Sequence, residues 1–430
     1  MEEELEKREK KMPVWDPQRE TEARRHYRKG LLAGVGYTLL ILASMAAGIL
    51  WARQDIAKKK GIYRPGAGIL TQEFMDEVCR VYAQIDQTFL YDYDIKKMQD
   101  GMLEGMLDAL GDPYSVYYNE SALESFTTQT EGEYYGIGCM VSQDKLTGVV
   151  TIVKPYANSP AMEAGILPGD ILCAVNGTEI TGMDLDQVVT MIKGAEGTTV
   201  RLSLEREGKD RLQVDVERRQ VEVNTVEHEM LEGEIGYIAV SSFDGVTPAQ
   251  FKAAFEELKQ QGMKGLVIDM RSNGGGLLSA VEEMLDYMLP EGVIFYAKDK
   301  KGNTYLEYTS DESAALDVPL AVLINGNTAS AAEVFSGNVQ DFGVGTLVGT
   351  TTFGKGIMQN TYTTNSQGTR AIKLTVADYY IHSGRNIHGT GLEPDVEVEP
   401  DESLLGKAVV EKEEDNQLQE AIRTVREQLP

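Results

Sequence analysis

From residue 234 onward, apolar runs of strand length alternate with segments of helical spacing. That alternation constrains the fold of this 430-residue chain more than any other feature. Ile235–Val240 reads as a strand and Pro248–Gln261 as a helix. The buried strand Gly265–Met270 leads into a helix over Leu277–Leu289. Leu320–Ile324 is again a strand, a helix follows Ala329, and Gly345–Val348 closes the series. Strands and helices in strict alternation argue for a layered α/β fold.

The flanks differ in character. Residues 71–132 form a helical region. Phe74, Val78, Val81 and Tyr82, then Met98, Met102, Met106 and Leu110, recur at helical spacing up to the turn Gly111-Asp112-Pro113. Residues 133–218 are a small β-rich domain with a single helical pattern, Leu185–Ile192. The α/β core spans 219–400, ending in paired strands, Thr361–Thr363 and Arg370–Tyr380, around Asn365-Ser366-Gln367-Gly368. The tail, 401–430, carries Leu418, Ile422, Val425 and Leu429 on one helix face.

Near the amino terminus, Gly30–Ala52 contains no charged residue. At helical rise, about 23 residues reach ~34 Å, enough to cross a bilayer. With Trp51 near one end, the expectation is an uncleaved transmembrane anchor. Residues 1–29 would then be a cytoplasmic segment, 53–70 a linker, and the large remainder extracytoplasmic.

The formal net charge of −27 repels phosphate backbones and argues against nucleic acid as a partner. Cys79, Cys139 and Cys173 are far apart and read as small core residues. His382 and His388 have no third ligand nearby, so neither a metal nor another cofactor is expected.

Three short stretches are candidates for chemistry. GTTTFGKG, residues 349–356, falls one residue short of a phosphate-binding loop. Gly356 lacks the hydroxyl that such a loop places on its metal, and extended structure rather than a helix follows. Lys355 is then either a solvated turn residue or a base. Arg271-Ser272-Asn273-Gly274-Gly275-Gly276, between a strand and a helix, is either a tight turn or a set of N–H groups for an oxyanion. Ser330, among Ala329, Ala331 and Ala332 where the chain turns into a helix, is either a nucleophile or a bystander to a cap at Asn327 or Thr328. Taken together, these loops follow neighbouring strands of an open sheet, where active sites form. A lysine whose charge is disfavoured by burial serves as a base where no His–Asp pair is at hand.

Several motifs in order resemble the carboxy-terminal processing proteases, the tail-specific serine peptidases of family S41. They are GDPYSVYY at 111–118, YYGIGCMV at 134–141, SPAMEAGILPGDIL at 159–172 and GYIAVSSF at 236–243. DMRSNGGGLL at 269–278, NGNTASAAEVFSG at 325–337, FGKGIMQ at 353–359 and HGTGLEPDVEV at 388–398 complete the series. The resemblance implies a multidomain α/β protein: a crotonase-like layered protease core, an inserted PDZ domain over 133–218, an N-terminal helical region and a transmembrane helix.

It further implies a membrane-anchored serine endopeptidase that processes protein C-termini. Ser330 resembles the nucleophile, Lys355 the general base and Gln359 the third member that orients it. Gly275, Gly276 and the N–H of Ala331 resemble the oxyanion hole. Tyr135, Gly136, Ile137 and Gly138 resemble the carboxylate-binding loop of a PDZ domain. Lys193 stands where the family commonly has Arg. Partners would be proteins or peptides with free C-termini, and helices over 71–110 and 415–428 are candidates either for a homodimer contact or for packing on their own core. The rival is a non-catalytic PDZ scaffold that binds C-termini at the membrane without turnover.

Overall fold

The computed structural model describes residues 68–144, 147–156, 158–206, 211–311, 314–404 and 410–429. The chain divides into two compact units, Met1–Asp94 and Ile95–Pro430. The described part of the first unit, residues 68–94, contains one helix, α1 (Gln72–Thr88), whose N-cap Thr71 accepts the Phe74 N–H.

The second unit begins with α2 (Ile95–Asp108), β1 (Val116–Tyr118) and α3 (Glu120–Glu131). Its β-rich segment contains β2 (Glu133–Gly136), β3 (Cys139–Gln143), β4 (Val150–Pro155), α4 (Pro160–Glu163), β5 (Ile171–Val175) and β6 (Thr178–Glu179). There follow α5 (Leu185–Ile192), β7 (Thr199–Glu205), β8 (Leu212–Glu217) and β9 (Arg219–Glu222). One sheet runs β3-β4-β5-β7-β8, with β6 on β5, so β3 is an edge strand. Ile137, Ile152, Leu172, Val188, Val200 and Leu202 fill a core of their own beneath it. The β2–β9 ribbon joins the ends of this segment.

The α/β core comprises β10 (Val226–Leu231), β11 (Ile235–Val240), α6 (Thr247–Gln260), β12 (Gly265–Asp269), α7 (Leu278–Met288), β13 (Gly292–Asp299) and β14 (Thr304–Ser310). It continues with β15 (Leu320–Ile324), α8 (Ala331–Asp341), β16 (Thr346–Gly349), β17 (Ile357–Thr363), β18 (Ala371–Ile381), β19 (Val396–Glu397) and α9 (Asn416–Glu427). One sheet runs β10-β11-β12-β15-β16-β19, parallel from β11 onward. Successive residues of a strand face opposite sides. Ile268 and Val322 therefore pack with Phe251, Val281 and Phe335, while Val267, Ala321 and Leu323 pack with Leu418, Ala421 and Val425 of α9. Gly265 permits that second layer, since a Cβ there would lie 2.2 Å from Val425 Cγ1. The apolar face of the C-terminal helix is thus buried in its own core.

Strands β13, β14 and β10 were not legible in the sequence. Charged residues interrupt them (Lys298, Asp299, Glu229), and pairing creates them: Phe295 opposite Ile381, and Met230 opposite Gly236. The expected transmembrane helix is also corrected. Among the described residues no helix is long and apolar enough to cross a membrane, and residues 30–52 lie outside those described. Of the cysteines, Cys173 is buried, Cys139 half-buried and Cys79 exposed.

Candidate active site

The loops after β12, β15 and β16 leave the carboxyl ends of three neighbouring parallel strands, so they meet. Polar side chains lace the first two together. Asn325 Oδ1 accepts the N–H of Ser272 at 2.9 Å. Thr328 Oγ1 donates to Met270 O at 2.8 Å, and the Ala329 N–H donates to Asn273 O at 2.9 Å.

Ser330 stands at the end of this lacing with φ 59° and ψ −119°. That left-handed backbone is costly for a residue with a Cβ and marks functional turns. Ser330 is itself the N-cap of α8, rather than Asn327 or Thr328. The sequence signal was the spacing Ser330…Glu333, the S-x-x-E pattern of a capping box.

Glu333 extends that box across the site. Its fully buried carboxylate accepts the Ser330 N–H at 2.8 Å, the Thr352 hydroxyl at 2.6 Å, the Gly354 N–H at 2.7 Å and the Lys355 N–H at 2.8 Å. One buried charge, met by four donors, ties the serine turn to the lysine loop. Sequence reasoning missed this role, and also that of Tyr379. The buried Tyr379 hydroxyl donates to Ser330 O at 3.3 Å and to Lys355 O. Burial, reinforced by the charge of Glu333, pushes that phenol well above its ordinary pKa, so it stays a donor.

The glycines around Lys355 have steric reasons. A Cβ on Gly354 (φ 88°) would lie 2.8 Å from Gly391 N, and one on Gly356 would lie 2.6 Å from His388 N. The HGTG stretch at 388–391 is the wall behind the lysine loop. After Gly356 the chain enters β17, not a helix, so no helix N-terminus faces a phosphate. Lys355 Nζ sits 4.4 Å from the centroid of the Tyr114 ring. Burial and the neighbouring Lys373 hold its ammonium below the ordinary lysine pKa, against the opposing charges of Asp112 and Glu333.

The glycine turn abuts the serine. A Cβ on Gly275 (φ 99°) would lie 2.8 Å from Ser330 Cβ and 2.9 Å from Ala331 N. The Gly275 N–H is engaged by Asn273 Oδ1 at 2.8 Å. Among the described residues no acceptor meets the N–H of Gly276 or of Ala331. Of the three expected oxyanion donors, these two are the ones left open.

Gln359 is not joined to the lysine. Its amide donates to Thr375 Oγ1 at 3.2 Å and to Ile357 O at 3.5 Å. In the β-rich segment, Tyr135 and Gly136 pair with Gln220 and Arg219 across the β2–β9 ribbon. Ile137 is a buried core residue whose carbonyl accepts the Ala161 N–H at 2.7 Å. Gly138 (φ 73°) packs against Ser159. Lys193 caps α5, with its ammonium 5.0 Å from the Tyr134 ring centroid.

The chain is similar to known proteins along most of its length. A model of peptidase family S41 matches residues 234–398, a PDZ domain model matches 151–206, and a model of the activating protease CtpB N-terminal domain matches 38–122. The carboxy-terminal processing protease CtpA of Bacillus subtilis (strain 168) is 33% identical over 331 residues, covering 77% of this chain and 70% of that one. The carboxy-terminal processing protease CtpB of the same strain is 32% identical over 332 residues, covering 76% and 68%. The solved structure of the photosystem II D1 C-terminal processing protease aligns with 75% of this chain and 86% of its own, at 29% identity and a TM-score of 0.44.

Proposed function

This chain is a carboxy-terminal processing serine protease of peptidase family S41 with a PDZ domain, and we propose that Ser330 is its nucleophile and Lys355 its general base. The observation that carries the proposal is the shared anchor. Glu333 holds the backbone of Ser330 and of Lys355 through the same Oε2, each at 2.8 Å.

The reaction begins when neutral Lys355 turns from Tyr114 toward Ser330 and takes its hydroxyl proton. Burial and Lys373 favour the neutral amine needed for that step. Ser330 Oγ then attacks the peptide carbonyl. The N–H groups of Gly276 and Ala331 stabilise the oxyanion, at the start of α8 where the helix dipole also favours negative charge. Lysine returns the proton to the leaving amine, an acyl-enzyme forms, and water releases it with the lysine again as base. Gln359 serves as third member by exchanging its Thr375 hydrogen bond for one to the lysine. The PDZ domain holds the substrate's C-terminal end as an added strand on β3, with the stretch Tyr135–Gly138, from the end of β2 to the start of β3, at its carboxylate.

The test is cleavage of β-casein, an unstructured protein, followed by mass spectrometry. Ser330→Ala and Lys355→Ala should each reduce cleavage to background with unchanged circular dichroism. Full activity in either variant rejects the assignment.

A further inference from the structure

The motif GDPYSVYY at 111–118 has no part in the reaction as described, yet it lies against the lysine. We propose that the turn Asp112–Ser115 is the seat of the Lys355 ammonium, with Tyr114 as a positioning residue for the base. The proposal rests on the Ser–Lys reading above.

The turn is built to stay in place. Asp112 Oδ1 accepts the Tyr114 N–H at 3.1 Å, and Asp112 Oδ2 accepts the Ser115 hydroxyl at 2.6 Å. Ser115 Oγ in turn accepts the Thr375 N–H of β18 at 3.1 Å. Immediately after it, Val116 pairs with Lys373 of the same strand. The turn is therefore pinned to the strand that flanks β17. Thr375 also receives the Gln359 amide, so the turn and the third member share one strand residue.

The seat acts on charge. The face of an aromatic ring is negative and attracts an ammonium within about 6 Å of its centroid. Lys355 Nζ lies 4.4 Å from the Tyr114 centroid, and Asp112 adds a negative charge on the same side. Glu333 also favours the ammonium, from the first turn of α8, whereas Lys373 from β18 opposes it. Tyr379 reaches this loop through its hydroxyl, which bonds the Lys355 carbonyl rather than the amine. The seat therefore sets how much lysine is neutral at a given pH and where the amine waits between turnovers.

The measurement is kcat/KM against pH on β-casein, whose acid limb reports the base in free enzyme. Tyr114→Leu removes the ring face, which disfavours the ammonium. The limb should move to lower pH by about half to one unit. Tyr114→Phe keeps the face and should restore the original limb. Lys373→Met removes a repelling charge and should move the limb to higher pH. If Tyr114→Leu does not fold, Asp112→Asn is read instead, with the same downward shift expected. A uniform fall in kcat/KM with an unmoved limb, or an upward shift in Tyr114→Leu, overturns the seat. Lys355→Ala in the same assay separates the two claims. An inactive Lys355→Ala with an unmoved limb in Tyr114→Leu sinks the seat alone, whereas an active Lys355→Ala sinks the Ser–Lys reading and the seat with it.

Discussion

Glu333 Oε2 accepts the backbone N–H of Lys355 at 2.8 Å, across 22 positions of sequence. A side chain that caps a helix thus also holds the loop that carries the base. The Glu333 carboxylate is fully buried and engaged by four donors of the protein, so it positions the site rather than reacting.

Glu333→Gln replaces one acceptor oxygen with an amide that meets N–H groups head on. Hydrogen bonds to a charged acceptor contribute about 1.5–3 kcal/mol each, and a buried donor left unmatched costs a similar amount. Urea unfolding should show a loss of at least about 2 kcal/mol. Displacing the base from the nucleophile by about 1 Å should lower kcat/KM roughly 100-fold. An unchanged midpoint and rate would show that the carboxylate is dispensable.

Gly275→Ala places a methyl 2.8 Å from Ser330 Cβ and 2.8 Å from Ala329 O, on a backbone with φ 99°. Strain of this kind costs on the order of 1–3 kcal/mol. The expected outcome is a folded protein with kcat/KM reduced at least about 100-fold, because the turn and the nucleophile move apart. Steady-state kinetics with a thermal melt in parallel checks both parts.

Tyr379→Phe deletes the hydroxyl that meets Ser330 O and Lys355 O. Two carbonyls at a buried position lose their partner, a loss of about 1–3 kcal/mol by unfolding. Activity should fall at all pH values without displacing the acid limb, since the hydroxyl bonds backbone rather than amine. A displaced limb would contradict this placement.

Asp415 links the C-terminal helix to the strand that leads into the glycine turn. Its carboxylate accepts Arg271 Nη2 at 2.8 Å and the Leu418 N–H at 3.0 Å, and Arg271 also binds Asp269 at 2.6 Å. Burial pushes the Asp415 carboxyl up, but the hydrogen bonds and charge of Arg271 outweigh it and hold the group below its ordinary value of 3.8. A depressed carboxyl contributes stability that is present above its unfolded pKa and is lost as pH falls through the folded one. Asp415→Asn keeps the helix cap and removes the charge. The variant should be less stable than the parent at pH 7, and the gap should close at low pH, where the parent is protonated. Urea midpoints at both pH values test it.

Much of the architecture was legible because its causes are local. The α/β layer followed from alternating periods, and α9 from the spacing of Leu418, Ile422 and Val425, with Asp415 as cap. Strands β13 and β14 were illegible because their charged residues hide the two-residue period until β18 pairs with them. The Ser330 turn, the Gly275–Gly276 turn and the Lys355 loop were visible as small-residue interruptions after strands. Glu333 went unread, although the Ser330-x-x-Glu333 spacing marks a capping partner. Its bonds to Thr352, Gly354 and Lys355 were not legible, since those donors lie 19 to 22 positions away.

By itself, then, the sequence determined where strands end and helices begin, which turns require glycine, and that a serine, a lysine and a glycine turn leave one sheet edge. Backbone propensity, side-chain period and steric demand act over a few residues. Tertiary structure alone decided where the side chains at that edge point. It set Lys355 against Tyr114, sent the Gln359 amide to Thr375, and engaged the Gly275 N–H with Asn273. The turn that seats the lysine hangs on a bond between Ser115 and Thr375, 260 positions apart. A side chain's direction and charge state depend on which partners folding brings within about 3–6 Å, and no local pattern encodes those partners.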